Sequence, residues 1–432
     1  MINKLLNYKF SFFNYQISGK KVVAHPLFSG SAFMIIGTNI ANFIGYLYHL
    51  IIGRLLGPAS YGELAATISL IGLFTISFNF LATVIIKFIS SSKEKDYENL
   101  LSWFFQKALI LGVLISCIVL LTSPWISRFI KVELKVIYII APILFFSICI
   151  LVLRSFLQGL VKFKLVAFLT GFEMFLRLVS GIMLIKIGLS VFGATLGILI
   201  AIICTLFIAR LTVKKYRLFS KNYKIDKVEK IIVYTIPIFI SSLAFNSFFS
   251  TDLLLVKHFF NSHDAGIYAA ISVLGKIIFF GTAPVASVMF PMVSKRQAKG
   301  YGYKKIFLMS LFLVIIGAFL ILLIYYLFPE IMVEILYGKN FIEAANNLVW
   351  FGLFMTIFSI TSVFISYFLA LNKTIVSYFV ALFALVQVIG IWFLHNSILQ
   401  VITISIISIS ILLLILLLFF TYESKKIINK SI

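Results

Sequence analysis

The sequence predicts an all-α polytopic membrane protein, with 12 transmembrane helices in two six-helix lobes related as parallel repeats. Three observations carry that prediction. The 432 residues are 62% hydrophobic and 12% charged, whereas a soluble domain is about half apolar and about a quarter charged. The apolar residues come in continuous runs of about 20, the length that crosses a bilayer as a helix. In hydrocarbon only helices and closed barrels satisfy their backbone polar groups, and unbroken rather than alternating runs select helices. Finally, GRLLGPASYGELAA at 53–66 and KHFFNSHDAGIYAA at 257–270 lie 204 positions apart, aligning Gly62 with Gly266, Ala65 with Ala269 and Ala66 with Ala270.

Residues 1–27 are basic and aromatic, with no long apolar run and no small-residue cleavage site. They predict a cytoplasmic, surface-lying lead-in rather than a cleaved signal peptide. The first lobe, 28–210, contains spans near 28–52, 64–89, 103–122, 136–157, 165–186 and 190–210. A basic linker follows at 211–230, the longest polar stretch inside the chain. The second lobe, 231–421, contains spans near 231–256, 266–290, 306–328, 343–371, 374–394 and 397–421, and 422–432 form a tail. Brief polar turns such as KIGLS at 186–190 and HNS at 395–397 mark helical hairpins. Six spans per half give both halves the same orientation, so their axis runs along the membrane normal and a cleft lies between them. The repeat continues into the spans, where Asn42 matches Asn246, and a weaker echo pairs SFLQGLVKFK (155–164) with YFLALNKTIV (367–376).

A formal charge of +23 would suggest nucleic acid in a soluble protein. Its distribution says otherwise. With the N-terminus inside, the inner segments carry 28 Lys and Arg and the outer ones 7. That bias is the positive-inside signature: both termini are expected in the cytoplasm, and no nucleic-acid partner is expected. Cys117, Cys149 and Cys204 sit within apolar runs and read as small buried hydrophobes, not as a disulfide framework. The five histidines show no metal spacing, and no phosphate-cradling loop or nucleophile motif is present, so neither a metal nor a cofactor is expected.

The link phrases RLLGPASYGELAA, STDLLLVKHFFNSHDAGIYAA and ILYGKNFIEAANNLVWFG (335–352) resemble those of the Wzx-type O-antigen and polysaccharide flippases of the multidrug/oligosaccharidyl-lipid/polysaccharide superfamily. The matching positions are the first-link glycines with their small residues, Asp252 upstream of Gly266-Ile267-Tyr268, and the Tyr337-Gly338-Lys339-Asn340-Phe341 pattern. The resemblance spans about residues 27–421 and is specific for the family rather than for a substrate. One departure is His258, where the first copy has Arg54. It puts in doubt a second basic group at that rim near neutral pH. The resemblance implies a flippase, not an enzyme. It would carry an undecaprenyl-pyrophosphate-linked oligosaccharide from the cytoplasmic to the outer face of a bacterial inner membrane. It further implies alternating access, coupling to H+ or Na+, contact with membrane lipids, and a polysaccharide polymerase as partner in making O-antigen or another surface polysaccharide.

Ionisable residues at membrane depth are costly and are functional candidates by default. Glu173 and Arg177 are spaced i, i+4 on one helix face. They form a local ion pair, or Arg177 faces the cleft and binds pyrophosphate while Glu173 holds the guanidinium or exchanges a proton. Lys276 has no partner nearby in sequence: it faces the cleft as a phosphate ligand or pairs with another helix, Glu173 included. Asp252 is a candidate site for the coupling ion, or a structural partner of Lys257 or Arg54. Asn42 and Asn246 bond between helices within each lobe, or contact sugar hydroxyls. Lys87 and Arg154 are expected to snorkel from helix ends to headgroups, and Trp103, Trp125 and Trp350 to anchor at the interfaces.

Two rival functions compete with the flippase. A drug or cation antiporter of the same superfamily should expose carboxylates within its spans, which here hold more basic than acidic residues. A membrane polymerase or glycosyltransferase should carry a sizeable outer domain, and the outer links are short, with no Asp-x-Asp pair.

Overall fold

The structure is a computed structural model describing residues 26–92, 94–219, 228–298, 301–371 and 373–430. The expected lead-in therefore lies outside the described residues except for its last two positions, as does the middle of the basic linker. The first half contains α1 (Pro26–Ser77), α2 (Asn79–Ser91), α3 (Tyr97–Ile130), α4 (Leu134–Gly159), α5 (Phe163–Leu184) and α6 (Ser190–Thr212). The second contains α7 (Val228–Phe259), α8 (Ser262–Ala298), α9 (Lys304–Leu327), the short α10 (Pro329–Tyr337), α11 (Ala345–Ala370), α12 (Val376–Phe393) and α13 (Ile398–Lys430).

Among the described residues, nine helical stretches are long and apolar enough to cross a membrane. Two of them, 37–75 and 163–212, each contain two spans, and α7 completes the 12. Within α1 the chain reverses at Gly57, whose φ of 71° and ψ of 172° suit only glycine. The reversal is visible in His49, whose Nδ1 lies 3.0 Å from the Tyr61 hydroxyl. Twelve residues of straight helix would separate them by about 18 Å. Between α5 and α6 the expected polar turn is a single π-helical turn at Ile185–Leu189, with Gly188 at φ 97°. Most helices run past the expected spans, because hydropathy registers the hydrocarbon core alone while helical hydrogen bonding continues into the headgroup zone.

The described residues form two buried clusters. One is built from α1–α6 around residues such as Ile140, Leu144, Leu153 and Phe156. The other is built from α7–α13 around Tyr268, Ile271, Phe351 and Phe354. Each accepts residues from the opposite half: Tyr61 and Ala65 join the second cluster, and Leu254 the first. The start of the linker does not swing free. Val213, Tyr216 and Leu218 are buried on the first half, with Tyr216 edge-on to Phe156 at 5.0 Å. Around the outside, large apolar side chains such as Leu121, Ile187, Phe393 and Leu418 are exposed, a surface stable only against lipid. Trp125 and Trp350 are exposed as well, whereas Trp103 packs edge-on against Phe104. Of the cysteines only Cys149 is buried; Cys117 and Cys204 are exposed, a correction to the expectation for all three.

The two ends of the bundle differ. One end carries the Gly57 turn and the links at 131–133, 260–261, 338 and 394–397; we call it the link end. The other, basal, end carries the turns near 160–162, 301–303 and 371–375. At the link end the halves touch where the repeat is strongest. A Cβ on Gly62 would lie 2.7 Å from the Gly266 nitrogen and 2.7 Å from the Ser262 carbonyl oxygen. A Cβ on Gly266 would collide with the Pro58 carbonyl. Residues 58 and 262 are themselves 204 apart, so the contact is reciprocal.

A second reciprocal contact surrounds it. Arg54 of the first half donates to the carbonyls of Glu334, Ile335 and Leu336, at the end of α10. His258, its repeat equivalent, lies with Nδ1 2.7 Å from the Phe129 carbonyl, at the end of α3 in the first half. Both groups meet carbonyls that a helix C-terminus leaves unpaired. The His258 ring also stacks on Phe129, centroids 4.1 Å apart. The expected departure at His258 therefore changes the side chain and keeps the contact.

Candidate functional site

Between the halves lies a cavity of about 500 Å³, walled by α1, α5, α7 and α8. Its lining reproduces the sequence repeat. Ala41, Asn42, Gly45, Tyr46, His49, Ala65, Ile68, Ser69 and Gly72 face it from the first half. Phe245, Asn246, Phe249, Ser250, Leu253, Ala269, Ser272, Val273 and Lys276 face it from the second, each 204 positions later. The remaining wall is Met174 and Arg177 on α5 and Phe279 and Phe280 on α8. A smaller cavity of about 340 Å³ shares Phe245 and Phe279 and runs along α8 past Ala283 and Ser287 to Phe290, toward the basal end.

Helical periodicity explains the lining. Positions 42, 45, 46 and 49 recur every three or four residues and so share one face of α1. The same spacing in α7 and α8 turns Asn246, Ser250 and Lys276 inward.

Four of the six expected site residues line this cavity: Asn42, Asn246, Arg177 and Lys276. The Arg177 guanidinium lies 4.4 Å from the Tyr48 ring centroid, a cation–π contact. The Lys276 ammonium donates to the Phe249 carbonyl at 2.7 Å and sits 5.5 Å from the Phe249 ring centroid. An ammonium has three donors, so this contact uses one. Asn246 Nδ2 donates across the cleft to the Gly72 carbonyl at 3.4 Å, a bond between lobes rather than within one.

The two expected acids lie elsewhere. Glu173 does not pair with Arg177 or Lys276. Its carboxylate accepts from Arg154 of α4 at 2.5 Å, and the same guanidinium group donates to the Leu169 carbonyl at 2.9 Å. Arg154 therefore holds α5 instead of snorkelling outward. Spacing placed Glu173 and Arg177 on one face, but Glu173 pairs with Arg154 on α4 while Arg177 lies over the Tyr48 ring of α1. Asp252 is 1% exposed and pairs with neither Lys257 nor Arg54. It accepts from the Tyr268 hydroxyl at 2.7 Å and from its neighbour's amide, Leu253 N–H, at 2.8 Å. Lys257 is buried and donates to Ser262 Oγ at 2.6 Å.

The electrostatics of the cavity are one-sided. Arg177 and Lys276 line it, no carboxylate does, and among the described residues neither cation has a carboxylate within ion-pair distance. Five buried side-chain polar atoms among the described residues have no hydrogen-bond partner in the protein. Three of them, the Tyr46 hydroxyl, Arg177 Nε and Ser272 Oγ, belong to residues of this cavity. A buried polar group without a partner costs about 1–3 kcal/mol. Three such groups around one space form a surface suited to a polar, anionic ligand. Sequence reasoning had missed Tyr46, His49, Ser250 and Ser272. Helical spacing from Asn42 and Asn246 reaches Tyr46 and Ser250 one turn later, at i+4 in both halves.

Comparison with known proteins places this geometry. The chain superposes on a multidrug resistance MATE family transporter of the MOP superfamily in its inward-facing conformation, with a TM-score of 0.70 and 16% identity, over 91% of this chain and 99% of that one. It superposes on the lipid II flippase MurJ in an inward closed conformation with a TM-score of 0.73 and 14% identity, over 90% and 87%. Against an outward-facing MATE family transporter the TM-score is 0.62 at 16% identity, over 93% and 96%. In sequence it is 24% identical to an uncharacterized membrane protein of Methanocaldococcus jannaschii, over 82% of this chain and 88% of the relative. The family model described as polysaccharide biosynthesis protein matches residues 27–297, more than half of the chain. The chain thus belongs to the polysaccharide biosynthesis protein family, built on the two-lobed fold of the MOP superfamily transporters.

Proposed function

We propose that this protein is a flippase that moves an undecaprenyl-pyrophosphate-linked oligosaccharide from the cytoplasmic to the outer face of a bacterial inner membrane, for O-antigen or another surface polysaccharide. The observation that carries this reading is the cavity with two cations, no lining carboxylate and three unpartnered polar groups. Its volume of about 500 Å³ falls in the range of about 300–1,000 Å³ for small-molecule sites. Arg177 and Lys276 hold the pyrophosphate, and Asn42 and Asn246 meet sugar hydroxyls. The polyprenyl tail stays in lipid beside the cleft. A drug or cation antiporter would need carboxylates on this wall, and a polymerase would need a donor site beside it.

The lobes at 28–210 and 231–421 rock against each other across the cleft. The basic bias of the loops supports placing the basal end and both termini in the cytoplasm. In that orientation the reciprocal contacts at the link end close the outer side while the cavity extends inward. An H+ or Na+ gradient drives the cycle. Asp252, one residue from the cavity wall, is the better placed of the two expected coupling sites, since Glu173 is committed to Arg154. The product would pass to a polysaccharide polymerase.

The test is a strain lacking this gene. Accumulation of finished repeat units on the inner leaflet, with loss of surface polysaccharide, is the expected result. Arg177→Ala and Lys276→Ala should fail to restore export although the protein is present in the membrane. Units already exposed on the outer leaflet would identify a polymerase instead. Unchanged glycans with altered drug sensitivity would identify an antiporter.

A further inference from the structure

The cavity wall contains one imidazole, and it is not one of the expected coupling sites. His49 faces the cavity from α1. Arg177 comes from α5 and Lys276 from α8, and both line the same cavity. Its other titratable neighbours are phenols: Tyr48 on the same helix, edge-on at 5.7 Å, and Tyr61 on the returning arm of α1. Glu173 is turned away to Arg154, and Asp252 sits behind the wall on Tyr268.

His49 is built to be protonated without losing its contacts. Its Nδ1 is 3.0 Å from the Tyr61 hydroxyl, which is 3.0 Å from the Tyr337 hydroxyl, and in that second pair either oxygen can donate. When the ring nitrogen is bare, Tyr61 donates to it. When the nitrogen carries a proton, Tyr61 accepts from it and donates on to Tyr337. Both phenols are fully buried, so the relay holds the ring in place in either state.

We propose that His49 is a proton-binding site linked to the anionic head group, taking up a proton as the head group enters between Arg177 and Lys276. This rests on the anionic reading of the cavity. A pyrophosphate held between Arg177 and Lys276 brings negative charge beside the ring, and a nearby opposite charge favours the protonated form. Linkage is reciprocal: if the anion draws a proton onto His49, the proton tightens the anion.

The experiment uses the full chain in lipid nanodiscs with geranylgeranyl pyrophosphate as the probe. Binding heats in two buffers of different ionisation enthalpy report protons taken up. The wild type should take up about one proton more than His49→Gln, whose side chain can still bond to Tyr61. Wild-type affinity should rise as pH falls, by at most about tenfold per pH unit for one linked proton. His49→Gln should bind like the wild type at high pH and lose that slope. Equal proton uptake by wild type and His49→Gln would overturn the linkage and leave the anion site standing. Wild-type binding no tighter than that of the Arg177→Ala/Lys276→Ala double variant would sink the anion site and the linkage together. A readout without mutation is available in histidine-labelled wild type: adding the probe should raise the pH at which one ring becomes imidazolium, and no change would overturn the proposal.

Discussion

The two halves of this protein place the same nine positions around one cavity and fill them differently. Asn42 faces Asn246 with the same chemistry. Ala65 and Ala269 also match, and the other pairs diverge, among them His49 against Leu253, Tyr46 against Ser250, Ile68 against Ser272, and Gly72 against Lys276. The repeat thus sets the geometry, and divergence within it sets the charge. The first half contributes a group that can gain a proton, and Arg177 from outside the paired positions. The second contributes the Lys276 amine where the first has only backbone. A similar split governs the link end, where Arg54 and His258 make equivalent contacts with different side chains.

The comparison can be broken most severely at its axis. Gly266→Ala should abolish export, because a Cβ there collides with Pro58 and the halves can no longer meet. Gly62→Ala, 2.7 Å from backbone atoms on the other side, should behave alike. Site-directed cross-linking between the halves at the link end, in membranes that still contain the protein, checks both.

Next in size is Lys276→Gly, which makes the second half like the first. Losing a hydrogen bond to a charged group costs about 1.5–3 kcal/mol, so affinity for a prenyl pyrophosphate probe should fall by about 10- to 150-fold. Export by the strain should fall with it. A smaller fall would mean that Lys276 serves the fold more than the ligand.

Tyr268→Phe tests a buried contact that has no counterpart in the first half. It leaves Asp252 with a backbone donor alone, and the cost should be about 1–3 kcal/mol. Thermal unfolding in detergent would show it as a lowered midpoint. The smallest effect belongs to the rim. Arg54→Ala removes a cation from a helix C-terminus, worth about 0.3–1 kcal/mol. It should raise the open fraction at the link end less than about sixfold, measured by accessibility of a cysteine placed there. His258→Arg, which restores the symmetry, should lower that fraction.

Part of the site was legible before any fold was known. Arg177 and Lys276 stood out because a charge at membrane depth is costly and must face something polar. Asn42 and Asn246 stood out through the repeat. His49 did not, because a lone histidine in an apolar run carries no signal until the hairpin at Gly57 brings Tyr61 to it. Nor did Glu173 reveal its partner. Its spacing from Arg177 is a local fact, while Arg154 reaches it from a different helix, 19 residues back.

The sequence by itself determined the solvent, the number of spans, their pairing into two parallel halves and the charges that had to be explained. Those properties depend on composition and on periodicity along the chain, and lipid enforces them one helix at a time. Only the tertiary structure decided where each charge points. Arg177 turned to the cavity, Glu173 to Arg154 and Asp252 to Tyr268, because a buried polar group takes the partner that packing brings within about 3 Å, and packing is set by distant helices.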